Sequence, residues 1–271
     1  MHDTRKIKHN ASGDISLQQN KEEKPVQSGQ KTLLKVLVAA GLGSRRQMAQ
    51  AIQDKRIIVN GNIVEDFSHS VNPESDTILF DGVLVNGKAE PDLILMLNKP
   101  AGIISTTRDE RGRRTVIDIL PRQYRSLRLY PVGRLDKNST GLLLLTNNGN
   151  LTYRLTHPRF ENEKEYLVQV NGKLTEYEKN IIEKGVLLDD GMTYPAILKE
   201  YSTHAPFNYS ITIHEGKKRQ VRRMFESLGF HVLALKRIRI GVIQLGNLKE
   251  GKVRELTANE KTSLLKELSI E

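Results

Sequence analysis

Apolar positions along the chain follow two different rhythms. Leu33, Leu34, Leu37 and Val38 recur at helical spacing, and Gly41 follows as a natural helix stop. Ser44 can cap a second helix that sets Met48, Ala51 and Ile52 on one face. Ile57-Ile58-Val59 and Asn62-Ile63-Val64 then flank Asn60-Gly61, a dipeptide that supplies the positive φ angles of a tight hairpin turn. Residues 31–90 therefore read as a small helix–helix–hairpin module. From Leu93 the rhythm changes to short continuous apolar runs between turn residues, the mark of buried strands. Leu93–Leu97 and Leu142–Leu145 are such runs, and Tyr166–Val170 and Tyr209–Ile213 follow as further strand candidates.

Two helices are expected among these strands, Tyr177 to Gly185 and Gln220 to Leu228, the second closed by Gly229. In the second, Val221, Met224, Phe225 and Leu228 form one apolar stripe. Arg222 lies at the edge of that stripe, and Arg223 points away toward water or a phosphate. The expected fold class is α+β. The small module of 31–90 is followed by a linker at Glu90-Pro91-Asp92, a larger domain over 93–257 and a C-terminal helix or tail over 258–271. Residues 1–30 are polar, mix both charge signs and contain no aromatic residue, so a disordered tail is expected there. They hold no apolar core of a secretory signal, and their four acidic residues argue against an organelle transit peptide.

Composition narrows the function. The formal net charge is +10, with a pI near 9.6, which points to an anionic partner such as nucleic acid. There is no cysteine, so disulfides, thiolate nucleophiles and cysteine metal sites are excluded. The seven histidines are scattered, with no His-x-His pair and no His-Glu-x-x-His motif, so no metal is expected. No run approaches the roughly 18 apolar residues of a membrane span.

The segment Gly133-Arg134-Leu135-Asp136-Lys137-Asn138-Ser139-Thr140-Gly141-Leu142 is the strongest candidate for chemistry. It holds one carboxylate, Asp136, in a glycine-bounded loop ahead of a buried strand. Arg134, two residues earlier, is close enough in sequence to compensate its charge. Taken alone, such an aspartate can cap a turn or serve a reaction.

Three further segments decide between those readings. Asn98-Lys99-Pro100-Ala101-Gly102 precedes the loop. His157-Pro158-Arg159 with Lys164-Glu165-Tyr166, and then Glu215-Gly216-Lys217-Lys218-Arg219-Gln220-Val221-Arg222-Arg223-Met224, follow it. In this order the four resemble the motifs of the pseudouridine synthases that modify ribosomal RNA and carry an N-terminal S4 domain. Gly41-Leu42-Gly43-Ser44-Arg45-Arg46 at the helix junction resembles the S4 domain itself. Gln50 stands where S4 domains commonly have an acid, and Lys55 where glycine is common. A third departure is Asn147-Asn148-Gly149, where the family more often places an aspartate before the glycine.

The resemblance implies a central, mostly antiparallel sheet with a cleft and flanking helices. It implies Asp136 as the essential carboxylate, Tyr166 as the ring packed on the target base, and Arg222 as the ion-pair partner of Asp136. Arg134, Leu135, Lys99 and Pro100 are then expected in the substrate pocket. The reaction breaks a uridine's glycosidic bond, rotates the base and rejoins it through carbon. It has no redox step and transfers no group, so no cofactor is expected. An aspartate can attack the sugar, attack the base or remove a proton.

The base must leave its stack to react, which calls for clamps on neighbouring phosphates. Three basic clusters are candidates: Arg45, Arg46, Lys55 and Arg56 in the small module; Arg108, Arg111, Arg113 and Arg114 in a loop; and Lys217, Lys218, Arg219 and Arg223 near Arg222. The loop Ile103–Val116 resembles that of large-subunit (23S) enzymes, so the expected partner is 23S rRNA, free or in a large-subunit assembly intermediate, with the protein cytoplasmic and monomeric. A small-subunit (16S) rRNA synthase and a non-catalytic RNA-binding or ribosome-assembly protein remain open. A DNA-binding helix-turn-helix protein would leave everything after Leu93 unexplained.

Overall fold

The computed structural model describes residues 29–85, 91–203 and 206–270. Nearly all of the expected tail over 1–30, and Glu90 of the expected linker, lie outside them. The chain divides into two compact units, Met1–Ala89 and Glu90–Glu271.

In the first unit, α1 (Leu33–Ala39) and α2 (Arg45–Gln53) pack together. The Ser44 hydroxyl accepts from the Gln47 amide at 3.2 Å, and the Gln47 side chain accepts from the Ser44 amide at 2.8 Å. That reciprocal cap starts α2 where the serine predicts. Strands β1 (Ile57–Val59) and β2 (Asn62–Ile63) form the expected hairpin, with Asn60 at φ 50° and Gly61 at φ 83°. β3 (Ile78–Phe80) pairs on the other edge of β1, and β4 (Val83–Leu84) pairs with β3. Leu33, Leu37, Ile52 and Ile57 are fully buried between helices and strands. Lys55, where S4 domains commonly carry glycine, adopts φ 62°. A left-handed residue after a helix is the reason glycine suits that position.

The second unit is built on one sheet. Its strands are β5 (Ile94–Lys99), β6 (Thr140–Thr146), β7 (Lys164–Val170), β8 (Ile197–Glu200), β9 (Tyr209–Ile213), β10 (Val232–Ile240) and β11 (Val253–Glu255). They lie in the order β8-β9-β7-β10-β6-β5-β11, with two short strands added at its flanks. Every pairing along this path is antiparallel except β10 with β6. The expected mostly antiparallel sheet is present.

β5 and β6 are buried on both faces, which explains their unbroken apolar runs. Leu95, Leu97, Leu143 and Leu145 face one core, where Val221, Met224 and Phe225 of α5 (Gln220–Glu226) also pack. Ile94, Met96, Leu142 and Leu144 face a second core. Leu151 and Leu155 of α3 (Gly149–Thr156) and Leu264 of α6 (Ala258–Glu267) close that second core. The segment after residue 257 is therefore a helix integral to the domain, started by a Thr257–Glu260 capping box.

Candidate active site

Asp136 stands in the loop that enters β6, and the loop is held on both sides of it. Leu135 donates its N–H to the Ser105 hydroxyl oxygen at 3.1 Å and accepts that hydroxyl's proton at its carbonyl at 2.9 Å. The Lys137 carbonyl accepts from the Gly102 N–H at 2.8 Å and from Lys99 Nζ at 3.1 Å. Between these fixed neighbours, the Asp136 carboxylate makes no hydrogen bond or ion pair among the described residues. It lines a cleft of about 300 Å³ together with Arg134, Leu135, Lys164, Tyr166 and Arg237. A charged oxygen pair held by backbone but left uncommitted is ready to meet a ligand.

Three expectations need correction. Lys99 is fully buried and does not line the cleft, and neither does Pro100. Lys99 sits behind the loop, donating to the carbonyls of Pro100 at 2.9 Å and Lys137 at 3.1 Å. Burial pushes its ammonium down to about 8, against the pull of Asp136. Arg134 lines the cleft but is exposed and pairs with no carboxylate among the described residues, so it does not neutralise Asp136 directly. A long, hydrated side chain gains little by folding back on a neighbour two residues away.

Arg222 is buried in α5, as its place beside the apolar stripe predicts. Its Nη1 donates to the Val232 carbonyl at 2.7 Å, and it forms no direct ion pair with Asp136. Burial and the like charge of Arg219 lower its pKa, while Asp136 raises it. Its interaction with Asp136 is through space, at longer range than a contact pair.

The cleft floor comes from neighbouring strands. Lys164 and Tyr166 lie two residues apart on β7 and share a face. Arg237 on β10 is the cross-strand partner of Tyr166, its guanidinium carbon 6.0 Å from the ring centre. A register shift between Glu165 and Tyr166 interrupts this ladder beside the cleft, and such irregularities re-aim side chains. Arg237 was not among the residues expected at the site. Its signal was available: it falls two residues after Leu235 on an alternating strand, so its side chain points inward. Ser105 carried no comparable signal, because only the folded loop brings it to Leu135.

The basic clusters separate into committed and uncommitted groups. Lys55 pairs with Glu65, Arg56 with Asp81, Arg113 with Asp109 and Arg219 with Glu226. Arg223, expected in water or on phosphate, holds Asp190 through two bonds of 2.9 and 3.0 Å. Lys217 caps the carbonyls of Asp190, Gly191 and Met192 at 3.2, 2.8 and 2.8 Å. Exposed and without an ion pair among the described residues are Arg45, Arg46, Arg108, Arg111, Arg114 and Lys218. Asp109 also accepts the amides of Arg111 and Arg113 at 3.1 and 2.8 Å. One carboxylate therefore shapes the arginine loop, and the Arg113 guanidinium with these amides holds it down at about 2.

Burial and the Arg237 charge hold Lys164 at about 8 as well. Lys99 and Lys164 are therefore cationic below about pH 8 and neutral above it, whereas a free lysine keeps its proton to about 10.4. The folded state releases these protons first, so their contribution to stability rises with pH over that window. Their charge support of the site fades over the same window. Single-turnover rates measured against pH are expected to fall with an apparent pKa near 8; a rate that stays flat to about pH 9.5 would contradict this.

Comparison with known proteins accords with this geometry. Residues 93–227 match the family described as RNA pseudouridylate synthase, and residues 31–78 match the S4 domain. The chain is 39% identical to a ribosomal large subunit pseudouridine synthase B of Bacillus subtilis, over 84% of this chain and 93% of that protein. It is 41% identical to the Vibrio vulnificus protein of the same name, over 79% of this chain and 67% of that one. A solved structure described as a pseudouridylate synthase aligns with a TM-score of 0.62 and 33% identity, covering 86% of this chain and 99% of the other. A family match over residues 93–227, an S4 match ahead of it and relatives near 40% identity over most of the chain agree, and this chain belongs to the RNA pseudouridine synthases.

Proposed function

We propose that this enzyme converts a uridine of large-subunit (23S) ribosomal RNA to pseudouridine, acting as a monomer in the cytoplasm without a cofactor. The uncommitted Asp136 carboxylate, held by its backbone neighbours at the wall of a nucleoside-sized cleft, carries this reading. The target base leaves its stack and enters the cleft. Asp136 acts at the sugar or the base, Tyr166 packs its ring on the uracil, and Arg222 attracts the carboxylate through space. The names of the Bacillus and Vibrio relatives support the choice of large-subunit RNA.

Contacts to the RNA backbone fall to the uncommitted cations. Arg45 and Arg46 open α2, whose first turn holds no acid. Cations at that end oppose the helix dipole, an arrangement suited to a bound phosphate. Arg108, Arg111, Arg114 and Lys218 supply further contacts. Affinity for rRNA is expected to fall steeply with salt.

The deciding test maps pseudouridines across both rRNAs in cells carrying the wild-type protein, Asp136→Asn, or none. Loss of one 23S site in both deficient strains supports the proposal. Loss at a 16S site overturns the target and keeps the chemistry. An unchanged map in both rRNAs rejects rRNA as the substrate.

A further inference from the structure

Arg237 is only 3% exposed, yet no carboxylate pairs with it among the described residues. Its Nε donates to the Leu142 carbonyl at 2.8 Å, while its buried Nη2 has no partner among the described residues. A buried guanidinium with an idle N–H has surrendered its hydration without full return. Lys164, beside it in the cleft, spends one of its three donors on the Asn162 carbonyl at 2.8 Å and has no carboxylate partner among the described residues. Glu215 also lines the cleft, but its Oε1 is taken by the Tyr194 N–H at 2.8 Å and by Gln220 at 2.7 Å. Asp136 contacts neither cation as an ion pair. The cleft floor therefore holds two cations that no carboxylate contacts as an ion pair among the described residues.

We propose that Arg237 and Lys164 form a subsite for the carbonyl oxygens of the uracil ring, which holds the negative charge of the base once it is detached. The inference rests on the pseudouridine-forming reaction. When the C1′–N1 bond breaks, its electron pair stays on N1. The free base is then an anion with charge shared by N1, O2 and O4. C1′ is satisfied by an Asp136 oxygen or by loss of the neighbouring C2′ proton to the Asp136 carboxylate, which later returns it. When C5 joins C1′, that temporary bond or unsaturation is reversed, C5 loses its proton and N1 gains one, so protons and electrons balance. Donors that meet charge only after the bond breaks stabilise the transition state more than the bound substrate.

An RNA phosphate is the other possible anion. Position favours the base: Arg237 lies in the sheet beside Tyr166, whereas Arg134, Lys218 and Arg219 are exposed where a phosphate can reach without desolvation.

The test uses the full chain with rRNA from cells lacking this protein. It measures the RNA dissociation constant separately from the single-turnover rate at saturating enzyme. Arg237→Met is expected to slow that rate roughly 10²–10³-fold with the dissociation constant changed less than about threefold. Arg237→Lys, which keeps the charge, is expected to recover part of the loss. Arg237 also ties β10 to β6 through Leu142, so Lys164→Met gives an independent reading in the same direction should Arg237→Met fail to fold. A loss confined to the dissociation constant would assign the subsite to phosphate and overturn the proposal. An unchanged rate in a folded Arg237→Met or Lys164→Met variant would reject it as well. Absence of pseudouridine with the wild-type enzyme would instead point to the wrong substrate RNA.

Discussion

Asp136→Asn is expected to reduce pseudouridine formation by about 10⁴-fold or more while leaving the melting temperature within about 1 °C of wild type. The two halves of this expectation have separate causes. Asparagine keeps the shape of the side chain but is a poor nucleophile and a poor base, so each route open to the carboxylate is closed. Stability is largely spared because the carboxylate has no hydrogen-bond or ion-pair partner among the described residues to lose, only its longer-range attraction for Lys99 and Arg222. The loop is held through Leu135 and Lys137 instead, by backbone atoms that the substitution leaves in place. The check is a single-turnover assay on unmodified rRNA beside a thermal melt. Retention of a tenth of the wild-type rate would remove Asp136 from the chemistry. A large fall in melting temperature would mean that its carboxylate is structural.

Gly141→Ala is expected to do the reverse, destabilising the fold first and activity as a consequence. Gly141 has φ 98°, and β6 meets β10 at this residue in a parallel pairing. A Cβ there would collide with the Arg237 carbonyl oxygen and stand 2.7 Å from the Arg237 nitrogen. Neither atom can turn aside, because both belong to the backbone of a central strand. Backbone strain of about 1–3 kcal/mol and a forced separation of packed strands of similar size combine to roughly 4 kcal/mol. Denaturant unfolding should show that loss, and any folded remainder should have impaired turnover, since Asp136 enters β6 only five residues earlier. A variant as stable as wild type would show that the two strands can part at low cost.

Legibility differed between local and distant features. The Ser44 cap, the Asn60-Gly61 turn and the buried runs of β5, β6, β7 and β9 follow from nearest neighbours, and all formed near their expected bounds. β6 and β7 run longer than their apolar cores, because polar ends such as Thr140 and Lys164 complete ladders that only the paired strand supplies. The charge pairings were not legible. Arg223 meets Asp190 across 33 positions, and Arg56 meets Asp81 across 25. Exposed arginines in a sequence look alike until the fold determines which carboxylate comes near each one.

The chain's own order of residues determined the fold class, the two-part organisation, the basic balance and the place of Asp136 in a turn before a buried strand. These depend on short-range periodicity, on turn chemistry and on motifs whose residues lie together. Only the tertiary structure decided that Lys99 stands behind the Asp136 loop rather than in the pocket, that Arg222 holds the Val232 carbonyl, and that Arg237 reaches the cleft floor. Each of those roles is a relation between segments dozens of residues apart. Sheet order and register bring such segments together, and no local pattern of apolar and polar residues specifies which strand becomes the neighbour of which.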